Sequence, residues 1–323
     1  CLSRKIRIDE LNKSTKIWIN YAIGGIVSVL LLAAIYKQVQ QQLGDTGTAK
    51  LTNTGPIYLL AAAIVLMLAN SFLESYKWFS LVRRTEQVSY GTALASYLAG
   101  IAFSIITPNR IGEYPGRILY LGRGNTMHYI GVSVAGVLSQ LAAIWFLGLA
   151  GLVYYNITFP GKPAQAALLG CVVINILLGL VYLNFDRWLS LMERVPWLRR
   201  FSVYGKLMGR MPAAEKWRIL TISIVRVFVF TAQYLILLQW MKVDVPIAAG
   251  FFLSALFFWV LAVVPSLALT ELGVRGTVSL FIFGHFSANT VGILAATTVL
   301  WFLNLVIPAV PGSILITKMK WLR

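Results

Sequence analysis

Eight charged residues stand within or beside strongly apolar stretches of this sequence: Glu74, Lys77, Arg110, Glu113, Arg117, Arg226, Glu271 and Arg275. Charge is costly in an apolar surround, so each one asks for a partner or a purpose. Glu113 and Arg117 are four residues apart, as are Glu271 and Arg275, and Glu-x-x-x-Arg occurs nowhere else in the chain. One turn of helix puts each carboxylate beside its own guanidinium, so each pair can neutralise itself. Both pairs follow a chain-breaking proline, Pro108 or Pro265, by five or six residues to the acid. Guanidinium forks suit phosphate and a carboxylate suits an amine, so two such tips brought together can make a polar binding site. The plainer reading is that the pairs only hold broken helices together. Among the others, Lys77 is expected to reach out to the membrane interface. Arg226, about seven residues into its helix, either does the same or pairs with Glu74.

The elements that must carry these residues follow from composition and charge. Hydrophobic residues make up 58% of the 323 and charged ones 12%, against about 25% charged in soluble domains. The chain is therefore an integral membrane protein. Runs free of charge at 17–36, 51–73, 124–161 and 163–185 each hold one helix; 219–241 holds another, broken only by Arg226. The last run, 276–317, would be about 63 Å long as one helix, twice the hydrocarbon thickness, and is expected to break at Gly284-His285. Cations cluster in the first 16 residues, at Arg83, Arg84 and Arg123, in the eight between Arg187 and Arg218, and at 318–323. By the positive-inside rule these mark the cytoplasmic side, with both termini there, as in a multi-pass protein of the cell's inner membrane.

That assignment constrains the two remaining segments. If Arg84 and Arg123 share one face, 87–122 must enter and leave by it, with a return limb about 15 Å long. If the helix of Arg226 runs outward, 245–283 must begin and end on the other face. The expected fold is thus all-α and polytopic, an inverted-topology repeat of about six full spans and two re-entrant helical hairpins. Repeat 1 covers about 17–158 and repeat 2 about 163–317 of a single transmembrane domain, flanked by tails 1–16 and 318–323. The basic connector 186–218 interleaves Trp188, Leu191 and Trp197 with Arg194, Arg199 and Arg200, in the manner of an interfacial amphipathic helix.

Other chemistries find little support. The +17 formal charge lies between apolar runs rather than on a soluble fold, which argues against nucleic acid. Cys1 and Cys171 form no framework, His128 and His285 have no second ligand at useful spacing, and no phosphate loop, serine elbow or redox pair occurs. No metal, no cofactor and no enzyme activity are expected.

At the tips the chain resembles the lysylphosphatidylglycerol synthase transmembrane-region family, the flippase-like part of bacterial multiple-peptide-resistance proteins. The residues that carry the likeness are Pro108, Arg110, Gly112, Glu113 and Arg117, then Leu272-Gly-Val-Arg275, then Pro311-Gly312. The family's second motif usually has an acid after its Arg; here Gly276 follows, and Glu271 precedes. The resemblance implies movement of a head-group-modified lipid between leaflets, with Arg110, Glu113, Arg117, Glu271, Arg275, Glu74 and Arg226 as the substrate-binding residues. Membrane lipids are then the partners, and aminoacylation is expected to belong to a separate lipid-modifying enzyme. An ion-coupled transporter of a small solute and a membrane subunit of polyprenyl-lipid glycosylation are the alternatives; the oligomeric state is left open.

Overall fold

The structure, a computed structural model, describes residues 54–317 apart from 85, 106, 108–109, 123–125, 195–208, 210 and 265–270, together with Ile26, Val29, Leu30, Ala33 and Tyr36. Those five are helical, but the rest of the first apolar run, both tails, most of the basic connector and the tip prolines Pro108 and Pro265 lie outside the described residues. Every element described is helical. In chain order they are α1 (Ile57–Val82), α2 (Tyr90–Ser104), α3 (Glu113–Leu121), α4 (Thr126–Thr158), α5 (Lys162–Leu183), α6 (Phe185–Arg194), α7 (Ala213–Trp240), α8 (Ile247–Val263), α9 (Glu271–Phe283) and α10 (Thr290–Ile316). Five of them (α1, α4, α5, α7 and α10) are long and apolar enough to cross a membrane. Large apolar side chains such as Val65, Leu68, Phe72, Leu169, Leu177 and Phe228 are exposed on their outer faces, as expected where the surrounding solvent is hydrocarbon.

The break anticipated at Gly284-His285 is present, since α9 ends at Phe283 and α10 starts at Thr290 under an Asn289 cap. α7 begins six residues before the expected Ile219, because Lys216 and Arg218 continue the helix instead of preceding it. Arg226 therefore lies about 20 Å along α7 rather than near its start, and this is why it does not reach the interface. α10 has a feature that spacing does not reveal. Its turn Phe302–Val306 is a π-helix followed by Pro308 and Pro311. Pro308 has no N–H for the carbonyl four residues back, at Asn304, and the widened turn absorbs that mismatch.

α1 and α7 pack antiparallel along their whole length. Gly55 N–H donates to Trp240 O at 2.6 Å, Gln233 Nε2 to Ala63 O at 3.0 Å, and Arg84 pairs with Glu215 at the far end. α2 and α3 form a tight hairpin in which Ser96 bonds to the Arg117 carbonyl and Gly116 lies against Gly100 and Phe103. α8 packs along α4, and the last turns of α10 pack along α2.

Both of the latter contacts are backbone-close at one glycine. A Cβ on Gly151 of α4 would lie 2.4 Å from the Phe252 carbonyl oxygen of α8, and one on Gly312 of α10 would lie 2.0 Å from the Leu98 carbonyl oxygen of α2. Neither backbone oxygen can move aside independently. Gly151→Leu and Gly312→Leu should each destabilise the fold by at least about 1–3 kcal/mol through overpacking, whereas Gly170→Ala, with nothing within 4 Å, should be neutral. Thermal loss of monodispersity in detergent, measured for the three variants, checks this.

Candidate functional site

The buried face of α1 repeats at helical spacing through Ala63, Met67, Asn70, Glu74, Lys77 and Leu81. Most of that stripe is ordinary core, but its middle is polar, and Glu74 there gathers three cations from three helices. Lys77 Nζ lies 2.8 Å from Glu74 Oε2, Arg117 Nη2 of α3 lies 2.9 Å from Oε1, and Arg226 Nη1 of α7 also bonds to Oε2. The cations have further acceptors. Arg226 donates to Asn70 Oδ1 at 2.9 Å and to Gln140 Oε1 of α4 at 2.8 Å, while Lys77 reaches Gln140 and Ser223 at 3.4 Å each. Asn70 continues the network to Asn304 in the π-turn of α10, and Asn304 to Gln233.

Arg117 is held most firmly of the group. Its guanidinium also bonds to Glu113, and it sits over the rings of Trp78, Tyr97 and Tyr114 at 5.3, 5.1 and 5.9 Å. A relay from Trp78 Nε1 to Ser96 Oγ and on to the Arg117 carbonyl fixes the hairpin under it. Lys77 does not reach an interface: its side chain is 2% exposed, pinned by the α1 face on which it lies.

The second tip holds the other cluster. Arg275 Nη2 and Nε lie 2.7 and 3.1 Å from Glu271 Oε1, so the one-turn pair forms as its spacing suggests. Arg110, from the turn before α3, reaches the same oxygen at 2.9 Å and ties the first tip to the second. It does so from a left-handed backbone, φ 58°, a conformation costly for a residue with a Cβ and sustained where the surroundings require it. Glu271, one helical turn before Arg275, thus serves both guanidinium groups.

The two clusters line one cavity of about 290 Å³, whose walls include Glu74, Lys77, Arg110, Glu113, Arg117, Arg226 and Arg275. Exposure differs widely among them. The side chains of Lys77 and Arg117 are 2% and 3% exposed, whereas those of Glu113 and Arg110 are 21% and 31% exposed. Beside this cavity, between α3 and α4, lies an apolar groove of about 590 Å³ lined by Ile111, Pro115, Ile118, Leu119, Ile130, Val134 and Val137; Tyr114 and Ser133 belong to both walls. Among the described residues no three His, Cys, Asp or Glu side chains gather as metal ligands.

Sequence reasoning named all seven candidate residues, and the structure brings them together, but it missed Asn70, Gln140, Ser223 and Asn304. The 70, 74, 77 spacing is the one readable signal for them; Gln140 and Asn304 come from distant helices and leave none.

Removing the Glu74 charge would leave Lys77 and Arg226 without a carboxylate in a buried site and Arg117 with Glu113 alone. Glu74→Gln should therefore destabilise the protein by about 3–5 kcal/mol, the usual cost of breaking a buried ion pair from one side. Glu113→Gln, at the more exposed carboxylate, should cost clearly less. Thermal unfolding of both variants in detergent, with correctly sized protein as the readout, checks the order.

No curated protein matches the chain. The family model described as the lysylphosphatidylglycerol synthase TM region matches residues 18–312, nearly the whole length and both tips. The chain is a multi-pass membrane protein with a membrane-lipid-related role, and it belongs to the lysylphosphatidylglycerol synthase transmembrane-region family.

Proposed function

We propose that this protein is a lipid translocase, which carries a phosphate-bearing, head-group-modified lipid between the two leaflets. The observation that carries this reading is the shared wall of Tyr114 and Ser133, with a charged cavity on one side and an apolar groove on the other. A site with a charged half and an adjoining apolar half is complementary to an amphiphile. A small polar solute would gain nothing from the groove.

An inverted repeat is the second part of the proposal. Contacts among these eight helices map onto one another when α1 is exchanged for α7, α2 for α8, α3 for α9 and α4 for α10: α2 on α10 answers α8 on α4, α2 on α3 answers α8 on α9, and α1 on α4 answers α7 on α10. The antiparallel α1–α7 pair supports opposite orientation of the two halves. In that reading α2–α3 and α8–α9 are re-entrant hairpins of opposite polarity. α3, at nine residues, is about 14 Å long and α9, at thirteen, about 20 Å, each too short to cross a bilayer. Cysteines placed on the 113–121 and 271–283 helices should then be labelled from opposite faces of the membrane.

The transport step needs no covalent chemistry. Arg110 and Arg275 are the accessible donors, and a phosphate bound by them competes with Glu271 for the same guanidinium groups. Head-group binding would thereby loosen the contact between tips, so that the site can open alternately to either leaflet. Glu74 and Arg117 keep the cavity's floor rigid during that exchange.

In reconstituted vesicles the parent protein should equilibrate an acyl-labelled phospholipid between leaflets. Arg275→Lys should slow it about tenfold, since charge is kept but the two-pronged geometry is lost, and Val134→Trp, which fills the groove, should slow it without touching a charge. Leaflet-resolved quenching of the label measures both. Equilibration unaffected by Val134→Trp would remove the groove from the path, and no movement of any lipid would favour the glycosylation-subunit reading.

A further inference from the structure

The charge balance of the cavity bears on the class of lipid. Three carboxylates, Glu74, Glu113 and Glu271, face five cations, Lys77, Arg110, Arg117, Arg226 and Arg275. Two positive charges are in excess, and one remains even if Lys77 gives up its proton. The balance is complete at the tips, since the stretches 106–109 and 265–270 contain no ionisable side chain. Two further observations sharpen the sign. Glu74 and Glu271 are each already engaged, by three and two cations, which leaves no second carboxylate free for an amine. Arg110 is also the most exposed of the eight, at 31%, ahead of Glu113 at 21% and Arg275 at 16%, so what enters the cavity meets a guanidinium group first. Buried Nε atoms of Arg110 and Arg117 have no acceptor, so donor capacity at the cavity is unspent.

We propose that the lipid bound here has a net anionic head group, a phosphate mono- or diester without a compensating amine, and that Arg110 and Arg275 form the anion site. The proposal rests on the translocase reading for its setting but stands or falls on a separate measurement. A cationic aminoacyl head would add charge to a cavity already positive by two and would find only the outer oxygen of Glu113 as its counter-ion. In a site shielded from water such like-charge placement is strongly unfavourable. An anionic head would bring the total toward zero and accept the unused donors.

The first test is binding, which does not require transport. Detergent-purified protein is equilibrated with equal amounts of phosphatidic acid, phosphatidylglycerol, phosphatidylethanolamine and lysylphosphatidylglycerol, and the retained lipid is identified by mass spectrometry. Phosphatidic acid and phosphatidylglycerol should be retained about tenfold over the other two, the ratio expected for one charged hydrogen bond gained. Arg110→Gln and Arg275→Gln should each abolish the preference, Arg110→Lys should retain part of it, and Arg83→Gln, at an exposed cation outside the cavity, should leave it intact. Glu113→Gln should preserve or strengthen the anionic preference. Loss of binding in that variant, or equal or greater retention of lysylphosphatidylglycerol by the parent, overturns the proposal. Inorganic phosphate and glycerol 3-phosphate are added as soluble competitors: if millimolar amounts displace the retained lipid, the cavity is a soluble-anion site and the lipid assignment is overturned. The second test repeats the comparison as leaflet equilibration in vesicles. Anionic retention without movement of any lipid sinks the translocase reading and leaves the head-group assignment standing, while movement that favours a zwitterionic or cationic lipid does the reverse.

Discussion

A single buried carboxylate sets the terms for most of this molecule. Glu74 accepts from α1, α3 and α7, helices that come from both halves of the chain, and it can exist there only because three cations compensate its desolvation. The converse also holds: among the described residues Lys77 and Arg226 pair with no other carboxylate, and Arg117 has only Glu113 besides. The network therefore fixes relative positions that apolar packing alone would specify loosely, because hydrocarbon outside the helices is as welcoming to Leu as a neighbouring helix is. Gln140 and Asn304 extend the same logic to α4 and α10, so that four long helices and one short one share a polar core.

Around that core, close backbone approach does what hydrophobic burial does in water. Gly151 and Gly312 allow α4 against α8 and α10 against α2 at distances that exclude any side chain, and Gly100 and Gly116 do the same inside the α2–α3 hairpin. The hairpin can therefore present Glu113 and Arg117 on one side of α3 and Ile118 and Leu119 on the other. One short helix divides charged cavity from apolar groove, which is the geometrical basis for reading the site as one for an amphiphile.

Much of this was legible in the sequence because it depends on local spacing. Runs free of charge located α4 and α5 within a few residues, the Glu-x-x-x-Arg repeats located both tips, and Gly284 located the break before α10. What was not legible depends on contacts between residues far apart in the chain. Lys77 sits near a cation-rich end of its run, where reaching the interface is the usual outcome; its burial rests on the ion pair with Glu74 together with Gln140 and Ser223, which arrive from α4 and α7. Arg226 was open between reaching the interface and pairing with Glu74, and the structure shows the pairing; spacing alone did not decide it because α7 begins earlier than its charges suggest and carries Lys216 and Arg218 as helical residues. The π-turn at Asn304 follows from Pro308, but nothing local says that the widened turn faces the cavity.

The placement of the acid at the second tip has a packing explanation. Gly276, next after Arg275, is buried on the face of α9 that meets α10, and a Cβ there would lie 3.0 Å from the Leu294 side chain. A carboxylate at 276 would point into that apolar contact, away from Arg110. At 271, one turn before Arg275, it is on the cavity side and within reach of both guanidinium groups. The acid at 271 thus pairs with Arg275 and at the same time bridges to Arg110 of the first tip. Under the proposed function a phosphate entering the cavity would compete for that bridge, and head-group binding would thereby be tied to separation of the two hairpins.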